Sequence, residues 1–252
     1  MNFNFIKSKF TFAYIRLLNV RHFYFSRLLK SGYQIFIPAS TYAPWHLDSE
    51  FNKTFNGVKS NSLINYYLAW DLWKLAEQSD KIEGDIIEVG VWRGSSTILM
   101  AKKMELIGST KQILSCDTFE GVVKADTSLD NDYVGGEHSD TSLEMVRNFI
   151  ENKFNLKNVT LIKGIFPDDA LDNPIIDRKY ALCHIDVDTY ESCRGVVDWI
   201  WDKLSIGGII VFNDYGFPNT KGVTDYVNSF RSDPSKIVIH NLNGHGIIIK
   251  IK

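Results

Sequence analysis

Apolar residues recur along this chain in two rhythms that succeed one another. Between residues 62 and 79 they fall at Leu63, Tyr66, Tyr67, Trp70, Trp73 and Ala76, the spacing of one helix face. Short apolar runs follow at 85–90, 112–117, 159–163, 180–187, 208–214, 236–240 and 246–251, each of strand length. Helical patterns near 95–105, 141–154, 168–173 and 190–203 separate the first five runs, and another near 220–231 precedes the sixth. Such alternation predicts an α/β fold, a parallel sheet with helices on both faces. The unbroken apolar run at 208–212 fits a strand buried on both faces. Only a few residues around 241–245 separate the last two runs, and so short a connection demands an antiparallel pair. The expectation is a mostly parallel seven-stranded sheet ending in an antiparallel hairpin.

Two domains of unequal kind are expected: an extension over 1–61 and the α/β domain over 62–252. Residues 38–61, with Pro38, Pro44, Gly57 and several Ser and Asn, read as irregular. The first forty residues hold Lys7, Lys9, Arg16, Arg21, Arg27 and Lys30 among many aromatics, without a single Asp or Glu. A basic, aromatic, helical arm of this kind suits a subunit interface, an acceptor cap or a membrane surface. A homo-oligomer, a dimer in the simplest case, is the expectation.

Composition narrows the function classes. With 44% hydrophobic and 23% charged residues, the chain has the make-up of a globular protein. A net charge of -2 provides no field for nucleic acid. No apolar stretch reaches the ~20 residues of a membrane-spanning helix, and basic residues interrupt every candidate signal-peptide core. Cys116, Cys183 and Cys193 lack metal-ligand spacing and read as buried reduced thiols. A cytoplasmic location is expected.

Ligands of such sheets bind at the carboxyl ends of the strands. The first run ends Glu88-Val89-Gly90-Val91-Trp92-Arg93-Gly94. Gly90 and Gly94 permit a tight turn against a ligand, and the Gly-x-Gly-x-x-Gly spacing suited to a dinucleotide is absent. The second ends in Asp117, followed by Thr118, Phe119, Glu120 and Gly121; an acid there can accept hydrogen bonds from ribose hydroxyls. The fourth ends His184-Ile185-Asp186-Val187-Asp188-Thr189-Tyr190 and the fifth Phe212-Asn213-Asp214-Tyr215-Gly216. Adjacent strand ends would bring Asp186 near Asn213 and Asp214, an oxygen-ligand set suited to Mg²⁺. His184, inside the run, reads as a core histidine.

These motifs, with residues 163–168 (Lys-Gly-Ile-Phe-Pro-Asp), resemble in order the signatures of the macrocin O-methyltransferase family over roughly residues 60–250. The resemblance implies a Rossmann-like class I methyltransferase and Mg²⁺-dependent transfer of methyl from S-adenosylmethionine to a sugar hydroxyl. It implies cofactor contacts at Glu88, Gly90, Asp117, Thr118, Phe119, Asp168 and Asp186, with Asp168 at the adenine end. Asp186, Asn213 and Asp214 would hold the metal, and Asp188 would stand at the general base position. Asn213 departs from the pattern, since the family usually has two acids before the Tyr-Gly. Residues 1–40 match nothing in it. Two other readings stay open: the same chemistry on a catechol-like vicinal diol, and a non-catalytic scaffold in glycan assembly.

Overall fold

The computed structural model describes residues 42–130 and 132–252, with positions 13, 14, 16, 17, 20 and 40 ahead of them. The expected arm therefore lies mostly outside the described residues. Contacts divide the chain into two units, Met1–Leu47 and Asp48–Lys252, and the site belongs to the second. Among the described residues no helix is long and apolar enough to cross a membrane.

The seven strands are β1 (Asp85–Val89), β2 (Ile113–Asp117), β3 (Val159–Lys163), β4 (Tyr180–Ile185), β5 (Leu204–Phe212), β6 (Lys236–His240) and β7 (Gly246–Lys250). They form one sheet in the order β3-β2-β1-β4-β5-β7-β6. β1 pairs in parallel with β2 and β4, and β4 with β5. β7 runs antiparallel to both β5 and β6, so the hairpin required by the short connection is present.

The described α-helices of the second unit are α1 (Ser49–Val58), α2 (Tyr66–Ser79), α3 (Ser95–Leu106), α4 (Leu143–Asn148), α5 (Tyr190–Ile200) and α6 (Lys221–Ser229). On one sheet face Ile87, Leu114, Cys183, Ile210 and Phe212 pack with Val196, Val197 and Ile200 of α5 and Val223 and Val227 of α6. Alternate strand positions point the other way, where Ile86, Ile113 and Leu182 are fully buried and α2 and α3 pack. All three cysteines are free and buried, as their spacing suggests.

Two expectations need correction. Residues 38–61 are not irregular throughout, because 49–58 are α1. Asp48 caps it, accepting from the Phe51 N–H at 2.9 Å, and Phe51 and Val58 are fully buried. Asn and Gly inside the segment obscure an apolar stripe at Phe51, Phe55 and Val58. The helix expected near 168–173 is instead two single 3₁₀ turns, Asp168–Ala170 and Pro174–Ile176. Pro174 has no N–H to extend a helix from the preceding turn.

Candidate active site

The chain leaves β1 towards β2 and β3 on one side, and β4 towards β5 on the other. This makes the gap between β1 and β4 a topological switch point, where open α/β sheets bind ligands. A cavity of about 470 Å³ opens there. At its floor β1 and β4 press together: a Cβ on Gly90 would lie 1.8 Å from the Asp186 carbonyl oxygen. Gly90 also has φ +91°, a conformation cheap only for glycine. The close approach that demands glycine is thus between strands, beside the ligand space.

Asp117, at the end of β2, organises the turn after β1. One carboxylate oxygen accepts from the N–H groups of Val91 and Trp92 at 2.6 and 2.8 Å. The other accepts from the N–H of Phe119 at 2.6 Å. A carboxylate offers about four acceptor positions, so one remains for a ligand hydroxyl.

The ends of β4 and β5 place Asp186, Asp188, Asn213 and Asp214 together on the wall of the same cavity. The Asn213 amide donates to Asp186 at 3.0 Å, while its Oδ1 is buried without a partner. Asp214 accepts from the Asp188 N–H at 3.1 Å. Burial pushes the Asp186 carboxyl up to about 7, helped by the charges of Asp188 and Glu88 and opposed by His184. Burial also raises Asp214 well above the usual carboxylate range, with the charges of Asp188 and Asp186 adding to it. Asp188 is raised mainly by burial, against the influence of Tyr133 and His138. Three carboxylates crowded this way favour a cation among them. Among the described residues, no group of three His, Cys, Asp or Glu is arranged to hold a metal ion; the oxygen beside Asp186 here is the amide oxygen of Asn213.

Gly90, Asp117, Thr118, Asp186, Asp188, Asn213 and Asp214 therefore line one cavity. Glu88, Phe119 and Asp168, expected among the cofactor contacts, are not on its wall. Glu88 is fully buried and pairs with His184 Nδ1 at 2.9 Å and with the Thr97 hydroxyl. His184 is a core histidine: burial alone would lower its pKa, but the Glu88 hydrogen bond and charge raise it. Phe119 turns into the core at 4% exposure. Asp168 is spent on an ion pair with Lys124 at 2.7 Å.

Trp92, from the glycine turn after β1, also lines the cavity, as do Tyr133 and His138, which no sequence motif marks. Tyr133 and His138 come from the long segment between β2 and α4. Its buried Asp130 caps α5 through the Tyr190 N–H at 2.7 Å. Asp140 accepts from the Trp92 indole at 2.8 Å and pairs with Arg93 at 2.5 Å. No periodicity marks such a segment, and its two adjacent glycines, Gly135 and Gly136, were the only local signal.

The sheet order, the hairpin at its edge and a cavity at the switch point define a class I O-methyltransferase fold. Solved structures agree at the level of fold. The O-methyltransferase NovP superposes with a TM-score of 0.63 at 24% identity, covering 76% of this chain and 82% of that one. A Bacillus cereus O-methyltransferase in complex with SAH superposes at 0.52 and 15% identity, covering 94% and 100%. In sequence, the model of the macrocin-O-methyltransferase (TylF) family matches residues 74–243, and the chain belongs to that family. It is 31% identical over 179 residues to the 8-demethyl-8-(2,3-dimethoxy-alpha-L-rhamnosyl)-tetracenomycin-C 4'-O-methyltransferase of Streptomyces olivaceus, covering 67% of this chain and 66% of that protein. It is 29% identical over 147 residues to the demethyldecarbamoylnovobiocin O-methyltransferase of Streptomyces niveus, covering 54% of each. The chain thus spans between about half and two thirds of the length of these curated relatives.

Proposed function

We propose that this protein transfers a methyl group from S-adenosylmethionine to a sugar hydroxyl with the help of Mg²⁺. The observation that carries this reading is the clustering of Asp186, Asp188, Asn213 and Asp214 on the wall of a cavity that Asp117 and Thr118 also line. Family membership and a relative named as the 4'-O-methyltransferase of a rhamnosyl-tetracenomycin support the substrate class.

The residues present fit a divalent cation. The unpartnered Asn213 oxygen and the Asp186 and Asp214 carboxylates are hard oxygen donors, the set Mg²⁺ takes. Bound there, Mg²⁺ would make a chelated hydroxyl more acidic and hold it in place. Asp117 keeps one acceptor position for a ribose hydroxyl of the cofactor, whose sulfonium supplies an already activated methyl. The chain's own task is then alignment and proton removal. Asp188, beside the metal set, takes the hydroxyl proton as general base. The enclosing turn at Trp92 and the segment carrying Tyr133 and His138 limit the water that reaches the reacting oxygen.

The test is S-adenosylhomocysteine formation from S-adenosylmethionine with rhamnosides and with catechol, in Mg²⁺ or in EDTA. Turnover of a rhamnoside is expected, abolished by EDTA and by Asp214→Ala, with S-adenosylhomocysteine binding retained in both. Asp188→Asn should keep binding and lower kcat by roughly 10²–10⁴, the usual share of a general base. A full rate in EDTA would remove the metal from the mechanism, and turnover of catechol alone would replace the sugar.

A further inference from the structure

Asp188 is the least ordinary residue of the acidic cluster. Its backbone sits at φ +62°, a left-handed conformation that costs a non-glycine residue energy and that gathers at functional sites. Its carboxylate is 14% exposed and lies 4.0 Å from His138 Nε2, within ion-pair range and one small movement from a hydrogen bond. Tyr133 faces the same carboxylate and interacts with it; burial first, and then the charge of Asp188, keep the phenol protonated, so the hydroxyl remains a donor. The other charges facing Asp188 are acidic: Asp130 and Glu137 from the same segment, and Asp186 and Asp214 from the strand ends.

His138 is itself in the left-handed region at φ +60°. Its ring meets the Trp92 indole edge-on at 5.7 Å and lies 6.3 Å from that of Tyr133. The fastening of Asp140 to Trp92 and Arg93 fixes the segment two residues further on.

We propose that His138 is a positioning residue for Asp188: with Tyr133 it holds the carboxylate at the angle from which it meets the acceptor hydroxyl. This rests on the reading of Asp188 as the base. Without these two anchors the carboxylate stands among four acids that push it aside, and a displacement of ~1 Å in such a group costs on the order of 10²-fold in rate. His138 lines both the cavity and a shallow outer depression with Leu63, Trp92, Arg93 and Asp140.

The contact is tested first without any acceptor, on the whole protein with ¹⁵N-labelled histidine. The His138 ring resonances should move when Asp188→Asn is introduced; resonances that stay put overturn the proposal. The second measurement is kinetic, with S-adenosylmethionine, Mg²⁺ and methyl α-L-rhamnopyranoside as probe. His138→Ala should lower kcat roughly 10- to 100-fold with KM and S-adenosylhomocysteine affinity changed less than about twofold. His138→Gln, which keeps a donor, should recover part of the loss. Asp188→Asn at the wild-type rate removes the reading beneath the proposal. A slow Asp188→Asn beside a full-rate His138→Ala removes the proposal alone. If the wild type leaves the rhamnoside untouched, the functional reading fails on that probe, and the ring resonances decide the positioning.

Discussion

Three backbone N–H groups converge on the Asp117 carboxylate, and this changes what the residue is for. An acid at this place in the sequence suggests a ribose ligand, yet most of its acceptor capacity is taken by two turns, the one that carries Trp92 and its own at Phe119. Asp117→Ala should therefore do two things. It should weaken S-adenosylhomocysteine binding by about 1.5–3 kcal/mol, the range for a charge-assisted hydrogen bond. It should also lower the unfolding free energy, because three N–H groups lose their partner. Calorimetric titration beside chemical denaturation separates the two effects; undiminished affinity in the folded variant would remove the ribose contact. Gly90 teaches the same lesson, since its missing Cβ makes room for the Asp186 carbonyl.

Among the elements, α1 shows how a polar-looking segment is recruited to the core. Asp48 accepts from the Phe51 N–H and, with its other oxygen, from the Trp73 indole at 3.1 Å. It thus caps α1 and ties it to α2, while the Phe51 ring packs against Trp70 and Trp73 at 5.0 and 5.7 Å. Asp48→Ala should cost about 1–2 kcal/mol of stability, the upper part of the range for a lost N-cap, with the buried indole left unpaired. Urea denaturation measures it. A change below about 0.5 kcal/mol, ordinary for a surface position, would mean that α1 is held by its apolar face alone.

At the scale of the whole molecule, the acidic cavity wall works against the fold that builds it. A carboxyl whose native pKa lies above its unfolded value binds its proton more tightly when folded. Its contribution to stability is complete below the unfolded value and is lost as pH rises through the native one, about 7 for Asp186. The metal-free protein should therefore lose stability between about pH 4, the ordinary carboxylate value, and neutrality. Asp186→Asn should be more stable than the wild type at pH 8 in EDTA, on the order of 1–2 kcal/mol because the carboxylate borders an open cavity. Towards pH 4 the difference should vanish, and Mg²⁺ should narrow it at pH 8 by stabilising the wild type. Equal melting temperatures at pH 8 in EDTA would show that the charge is already compensated. Strain is distributed to the same place: Trp92, Phe119, Lys124, His138 and Asp188 are five of the six non-glycine residues at positive φ among the described residues, and all lie in the loops around the cavity.

The sequence by itself determined the elements whose chemistry is local. Strand rhythm fixed the seven strands, and the brevity of the 241–245 connection fixed the antiparallel pair, because a parallel return needs a crossover. The acids and the amide at the ends of β2, β4 and β5 were legible because strand ends are where such sheets expose polar groups. Tertiary structure alone decided which of these residues share a cavity. Glu88 sits one residue before Gly90, but strand alternation turns it into the core against His184 and Thr97. Asp168 is drawn off by Lys124, a pairing no spacing announces. Tyr133 and His138 reach Asp188 only because Asp130 and Asp140 anchor an aperiodic segment to α5 and to the β1 turn. Contacts of that kind join residues some 50 positions apart in the sequence, and no local pattern encodes a distance that only folding closes.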